Sequence, residues 1–352
     1  MNFSFTDDQQ AIKRTAKDLL AQRFKPDTMR ELAEAQRYDD ANWSELSELG
    51  WPGIFVGEEH GGQGLGTVEL AILQEELGYS LAPVPFLSNA AAGLALTHAG
   101  SDELRERWLP GIASGEARGT VGVLRNGEAA LVPDADSAEV IVLFDEQATE
   151  YSASVPKTSR SGSVHAASEC EIEPLETIDA TRRYARVRAK GGGEPLGDVT
   201  PAWDRIGVAV SAELVGICQR VLEMSVEYAR ERKQFERPIG AYQAVSHRCA
   251  DMLRETESAR STTLWAAWAA EAEPETLPLA AAMAKAYASD AGWNVTSSAM
   301  QVLGGIGFTW EHDLHFFLKR AKVDAALFGS ASEHRERVAE LSGLGAAAPA
   351  VA

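Results

Sequence analysis

The chain has 352 residues, 45% hydrophobic and 24% charged, a composition that excludes disordered and collagen-like chains. At roughly 150 residues per domain this length predicts two or three domains. Thirty-three basic against fifty-two acidic side chains leave a net charge of −19, which repels nucleic-acid phosphate and the anionic face of a membrane. No run of apolar residues is long enough to span a bilayer, and the acidic stretch from Met1 to Gln10 does not read as a signal or transit peptide, so the cytoplasm is the expected compartment. Cys170, Cys218 and Cys249 are widely spaced with no C-x-x-C, which favours small buried thiols over a disulfide framework or a zinc ribbon.

In chain order, the first ~115 residues read as helices, because each periodic stretch carries its own start and stop signal. Thr6-Asp7-Asp8-Gln9 is a capping box, after which Ile12, Ala16, Leu19 and Leu20 share one face. Asn42 is positioned to cap a short helix ended by Gly50. Thr67 precedes Leu70, Leu73 and Leu77 with Gly78 as the closing residue, and Ser101 precedes Leu104 and Trp108. From about Thr120 the pattern changes to short β-type runs at 120–124, 138–144 and 184–189. In the last, Ala185, Val187 and Ala189 alternate with Arg186, Arg188 and Lys190; a solvated strand face is favoured there over a phosphate contact. Polar, small-residue stretches at 158–163 and 191–193 predict loops, with a connector near Pro201. Long helical patterns then occupy about 203–232, 242–271 and a third segment, where Ala284, Ala288, Ala291, Val295 and Ala299 share a face ahead of Gly304-Gly305. Helices of this length need packing along their whole extent, which a four-helix bundle or an oligomer interface supplies. The expected units are therefore 1–115 (helical), 116–200 (a reduced β domain), 201–345 (a helical bundle) and 346–352 (a tail), an α+β fold that is mainly α.

The motifs of common enzyme classes are weak. Gly61-Gly62-Gln63-Gly64-Leu65-Gly66 lacks the G-x-G-x-x-G spacing of a dinucleotide fold and follows no buried strand. His312 and His315 stand at i, i+3 without a third ligand, so no metal is expected, and there is no G-x-S-x-G elbow.

Two groups of segments carry a resemblance. Glu48-Leu49-Gly50-Trp51, Glu58-Glu59-His60-Gly61-Gly62-Gln63-Gly64-Leu65-Gly66 and Glu75-Glu76-Leu77-Gly78 resemble the first domain of the acyl-CoA dehydrogenase family. Tyr228-Ala229-Arg230-Glu231-Arg232-Lys233-Gln234-Phe235 leading to Gln243-Ala244, and Gln301-Val302-Leu303-Gly304-Gly305-Ile306-Gly307-Phe308, are similar to the two family segments that hold FAD. The resemblance implies a helical domain, a β domain and a C-terminal four-helix bundle. It also implies that Arg232, Gln234, Phe235, Gln243, Gln301, Gly304 and Gly305 hold the adenosine and pyrophosphate half of an FAD whose ring lies in a neighbouring subunit. The residue types agree: an arginine fork suits pyrophosphate, the amides can hydrogen-bond, phenylalanine offers an apolar face and glycines allow close backbone approach.

The departures are as informative. Family members that hold the flavin ring carry a T-E-P-x-x-G-S-D segment and a W-I-T-like strand, and Thr120-Val121-Gly122-Val123 with the short stretch after it matches neither. Counting from Phe308, the position of the usual catalytic glutamate is Phe328, which cannot accept a proton. Asp204-Arg205 invites comparison with members whose base opens the first bundle helix, but it lies about two residues out of register, so no catalytic residue is assigned to this chain. The resemblance thus implies the short partner subunit of a heteromeric FAD-dependent acyl-CoA dehydrogenase, acting on a bulky CoA thioester such as a steroid side chain. A longer dehydrogenase chain would supply ring, base and acyl pocket, with electron-transfer flavoprotein as the acceptor. A self-sufficient homo-oligomeric dehydrogenase with a non-standard base, and a non-catalytic scaffold subunit, are the alternatives.

Overall fold

The computed structural model describes residues 5–145 and 159–344. Six helices open the chain: α1 (Asp7–Arg23), α2 (Pro26–Glu34), α3 (Asp40–Glu48), α4 (Thr67–Ser80), α5 (Phe86–Ala99) and α6 (Asp102–Ser114). The capping box of α1 forms, with the Thr6 hydroxyl accepting from Gln9 N and Thr6 N donating to Gln9 Oε1, and Ser101 caps α6. Two expected boundaries move. Asp39, not Asn42, caps α3, and Asn42 is buried inside that helix. Gly78 does not close α4, which runs on to Ser80; a Cβ at Gly78 would collide with the Glu213 carbonyl, so this glycine serves a close helix crossing instead of a C-cap. Gly216 does the same against the Glu75 carbonyl from the opposite side.

The middle of the chain forms seven strands: β1 (Gly119–Leu124), β2 (Ala129–Pro133), β3 (Val140–Asp145), β4 (Gly162–Ala166), β5 (Cys170–Leu175), β6 (Tyr184–Ala189) and β7 (Glu194–Pro195). One sheet has the order β1-β3-β4-β7 with β1 and β3 parallel, and a second has the order β2-β6-β5. Successive side chains of β3 alternate between two cores. Ile141 and Leu143 pack toward the second sheet, whereas Val140, Val142 and Phe144 join the main core with α5. On β6, Ala185 and Val187 are buried as the alternation predicts. Arg186 bonds Glu173 at 2.7 Å and Arg188 bonds Glu128 at 2.8 Å, so the arginine run is an ion-paired outer face. The loop expected at 158–163 is partly strand, since Gly162 and Ser163 belong to β4; Thr158 lies outside the described residues.

Pro201 is no connector: it sits in the first turn of α7 (Thr200–Glu231), where its missing N–H costs nothing. A short hairpin, β8 (Lys233–Gln234) and β9 (Arg237–Pro238), leads to α8 (Gln243–Ala272), followed by α9 (Leu277–Leu303), α10 (Leu314–Asp324) and α11 (Ala331–Leu341). Ala284, Ala288, Ala291, Val295 and Ala299 are all fully buried, as their spacing predicts. Among the described residues no helix is long and apolar enough to cross a membrane.

Candidate functional site

Two places in the fold carry the residues singled out above. The first is one end of the bundle. Arg205 and Gln219 of α7 bond the Ala270 carbonyl and Arg260 of α8, and α9 follows α8 after a short connector and returns to bond Glu255 through Asn294, so consecutive long helices run antiparallel. α7 and α9 are therefore parallel to each other, with Gly292 of α9 packed against Leu214 of α7. The residue 232–243 connector and the Gln301–Gly305 segment therefore emerge at the same end, as a shared ligand requires.

The side chains there are available. Arg232, Gln234, Phe235, Gln243, Gln301 and Gly305 are exposed, Phe235 by 86%. Among the described residues the Arg232 guanidinium makes no ion pair, and the Gln243 and Gln301 amides make no hydrogen bond; Gln234 spends its amide on the Lys233 carbonyl at 2.7 Å. Gly304 adopts φ 61° and ψ −136°, a conformation reserved for glycine, and a Cβ on Gly304 or Gly305 would meet no atom within 4 Å. An unpaired fork, free amides and open glycine backbone fit a phosphate-bearing cofactor such as FAD.

The second place is the position of Phe328. This residue follows α10 with φ 54° and is buried, 5% exposed. Its ring meets the indole of Trp203 edge-on at 6.0 Å, and Trp203 also reaches Phe144 of β3 at 6.2 Å. The guanidinium of Arg160 lies 3.8 Å from the Trp203 ring centroid. Burial and the neighbouring Arg337 push Arg160 down to about 10. His334 bonds the Phe328 carbonyl at 2.9 Å, and burial pushes its imidazole down to about 3, so the ring is neutral in the fold. Asp204 is buried, but Arg337 takes both its carboxylate oxygens, Oδ2 at 3.1 Å. A carboxylate closed by a bidentate guanidinium is not free to take a substrate proton.

Beneath the Phe328 loop lies Lys285 of α9, fully buried. Its Nζ donates to Ser289 Oγ at 3.0 Å and to the carbonyls of Asp324, Ala325 and Gly329 at 3.1, 3.3 and 3.1 Å. Burial pushes this ammonium down to about 8. Asp324 also belongs to a buried ionic cluster that ties β domain to bundle. Arg182 bonds Glu213 at 2.7 Å and Asp324 at 2.8 Å, while Arg320 bonds Asp179, Glu213 and Thr181 at 2.7, 2.7 and 2.6 Å. Burial, then repulsion from Glu213, pushes the Asp324 carboxyl up to about 7.

The segment after β1 is a two-residue reversal. Asn126 and Gly127 have φ 54° and 85°, and Arg125 N donates to the Glu128 carbonyl at 2.8 Å. Asn-Gly after a β run is a local signal for this turn. Trp203, Arg160 and Arg337 were missed, since nothing local in the sequence brings residues 160, 203, 328 and 337 together. The two histidines at 312 and 315 do different things: His312 Nδ1 accepts from Leu314 N at 3.1 Å, and His315 stacks on Trp310 at 4.2 Å. Among the described residues no cluster of three metal-ligating side chains occurs.

Residues 6–116 match the family model described as the acyl-CoA dehydrogenase N-terminal domain, and residues 202–342 match that of the C-terminal domain. The acyl-CoA dehydrogenase IpdE2 of Mycolicibacterium smegmatis is 32% identical over 95% of this chain and 98% of its own length. The chain belongs to the acyl-CoA dehydrogenase family. This family is flavin-dependent, so FAD is the cofactor, and an oxidoreductase activity follows. Among solved structures, the chain is similar to the ChsE4-ChsE5 complex from Mycobacterium tuberculosis, with a TM-score of 0.86 and 25% identity over 97% of this chain and 99% of that one. It is also similar to the Tcur3481-Tcur3483 steroid acyl-CoA dehydrogenase variant, with a TM-score of 0.85 and 26% identity over the same shares.

Proposed function

We propose that this chain is the partner subunit of a heteromeric acyl-CoA dehydrogenase that desaturates a bulky CoA thioester, and that it lends the adenosine and pyrophosphate clamp for FAD to a catalytic chain. The observation that carries the proposal is the burial of Phe328 against Trp203 at the position of the usual glutamate base. A base must come within hydrogen-bond reach of the proton it removes. Here that place holds two aromatic rings, and the nearby carboxylate, Asp204, is held by Arg337. The tight Asn126-Gly127 turn supports the same reading, because it leaves a two-residue reversal where the family's ring-holding segment would stand.

When bound, FAD supplies the hydride acceptor for α,β-dehydrogenation. This chain's residues hold the cofactor's other end. Arg232 would donate to pyrophosphate oxygens, Gln234, Gln243 and Gln301 would hydrogen-bond, Phe235 would cover an apolar face, and Gly304 and Gly305 would let backbone approach. The relatives' names include a steroid dehydrogenase and a two-component complex, which supports a bulky acyl group and a second chain.

The test is co-expression with a longer acyl-CoA dehydrogenase chain, should a reading frame for one lie beside this one. The proposal expects a yellow complex that turns over acyl-CoA, and a lone chain that is poorly flavinated and inactive. Turnover by the homogeneous lone chain would support a self-sufficient enzyme, and a complex without FAD would support a scaffold.

A further inference from the structure

We infer that Tyr242 is the positioning residue of the proposed FAD clamp: it holds the turn from Gln234 to Arg237 in the strained shape that presents Phe235 outward. The inference rests on the clamp reading above and names the residue that makes the clamp rigid. Three observations carry it. The turn is a two-residue reversal in which Gln234 pairs with Arg237, and both central residues, Phe235 and Glu236, lie in the left-handed region at φ 50° and 68°. Turns of this kind favour Asn or Gly at both places, and a phenylalanine and a glutamate there persist only where surrounding contacts over-determine the backbone.

Tyr242 supplies such contacts from outside the hairpin. Its hydroxyl donates to the Gln234 carbonyl at 3.2 Å. Its ring meets Phe235 edge-on at 6.4 Å, and the Arg237 guanidinium lies 4.0 Å from the ring centroid. One side chain thus touches three of the four turn residues. The remaining brace is backbone, with Ile239 N donating to the Arg232 carbonyl at 2.8 Å.

Fold stability does not explain the arrangement. Phe235 is 86% exposed, its ring gaining little from burial, and the Tyr242 side chain makes no capping bond to α8 although the residue stands at its N-cap. The geometry describes a finger prepared before its ligand arrives, which lowers the ordering cost of binding.

The test titrates FAD into the apo form of the purified assembly containing this chain. Tyr242→Ala should weaken FAD binding about 10-fold or more, and Tyr242→Phe, which keeps the ring, by about 2- to 10-fold, with melting temperature unchanged. Adding Glu236→Gly to Tyr242→Ala should restore most of the affinity, because glycine adopts the left-handed turn without help. Unchanged affinity in Tyr242→Ala, with Arg232→Ala weakening it, would overturn the role of Tyr242 alone. A loss that Glu236→Gly does not rescue would show that Tyr242 does not act through the turn, and would overturn it also. Unchanged affinity in both Arg232→Ala and Tyr242→Ala would instead remove the clamp reading, and this inference with it.

Discussion

The indole of Trp203, from the first turn of α7, meets the ring of Phe328, from the loop after α10, edge-on at an interplanar angle of 84°. The two lie 125 residues apart in sequence, and under the proposed function they close the place of the base. Aromatic pairs of this geometry contribute roughly 0.5 to 1.5 kcal/mol beyond their burial. The contact therefore stabilises the packing of the loop after α10 against α7.

Phe328→Glu is accordingly expected to yield no efficient enzyme. It removes the edge-on contact and places a carboxylate among Trp203 and Phe144, so the variant should be destabilised by about 3 kcal/mol or more. Thermal unfolding and acyl-CoA turnover of the isolated chain check this. Family-like turnover would refute the account of a closed site.

Arg232→Ala in the assembled complex should weaken FAD binding roughly 10- to 150-fold, the worth of a charge-assisted hydrogen bond. Since the guanidinium is exposed and makes no ion pair among the described residues, the melting temperature of the apo complex should barely move. Unchanged FAD affinity would mark Arg232 as an ordinary helix-end arginine.

Lys285→Met should cost about 3 kcal/mol or more, because it leaves the buried carbonyls of Asp324, Ala325 and Gly329 without their donor. Denaturant unfolding measures the loss. A change under about 1 kcal/mol would mean that water replaces the ammonium without penalty.

Stability should depend on pH through Asp324. Its folded carboxyl is pushed up to about 7 from an ordinary 3.8, so its contribution is full below the unfolded value and is lost as pH rises through about 7. His334 acts oppositely. Its folded imidazole is pushed down to about 3, so stability is present above the ordinary 6.5 and falls as the pH drops toward 3. The difference in stability between the parent and Asp324→Asn isolates the first group, and it should shift in favour of Asp324→Asn as pH rises from about 4 to 7. A difference that does not vary with pH would show that Arg182, Arg320 and Lys285 keep Asp324 ionised throughout.

Much of the fold is legible along the chain. The caps at Thr6 and Ser101, the alternation on β6 and the alanine face of α9 are local patterns that tertiary contacts reinforce. α2, α5, α10 and α11 escape such a reading, the first two for opposite reasons. α2 starts at Lys25-Pro26 without a capping side chain, and α5 is buried on nearly every side, so it shows no amphipathic period. Gly78 resembles a stop signal because sequence alone does not reveal the Glu213 carbonyl pressed against it. At the site, Phe328 could be placed by counting from Phe308. The residues that surround it come from β3, the segment just before β4, α7 and α11, and their meeting is a product of topology.

The most direct test of the central claim is the flavin content and activity of this chain purified alone and purified with a co-expressed longer acyl-CoA dehydrogenase chain. The account predicts little flavin and no acyl-CoA oxidation for the lone chain, and a yellow, active complex holding one FAD for each pair of unlike chains. A lone chain that binds FAD stoichiometrically and oxidises acyl-CoA would contradict it.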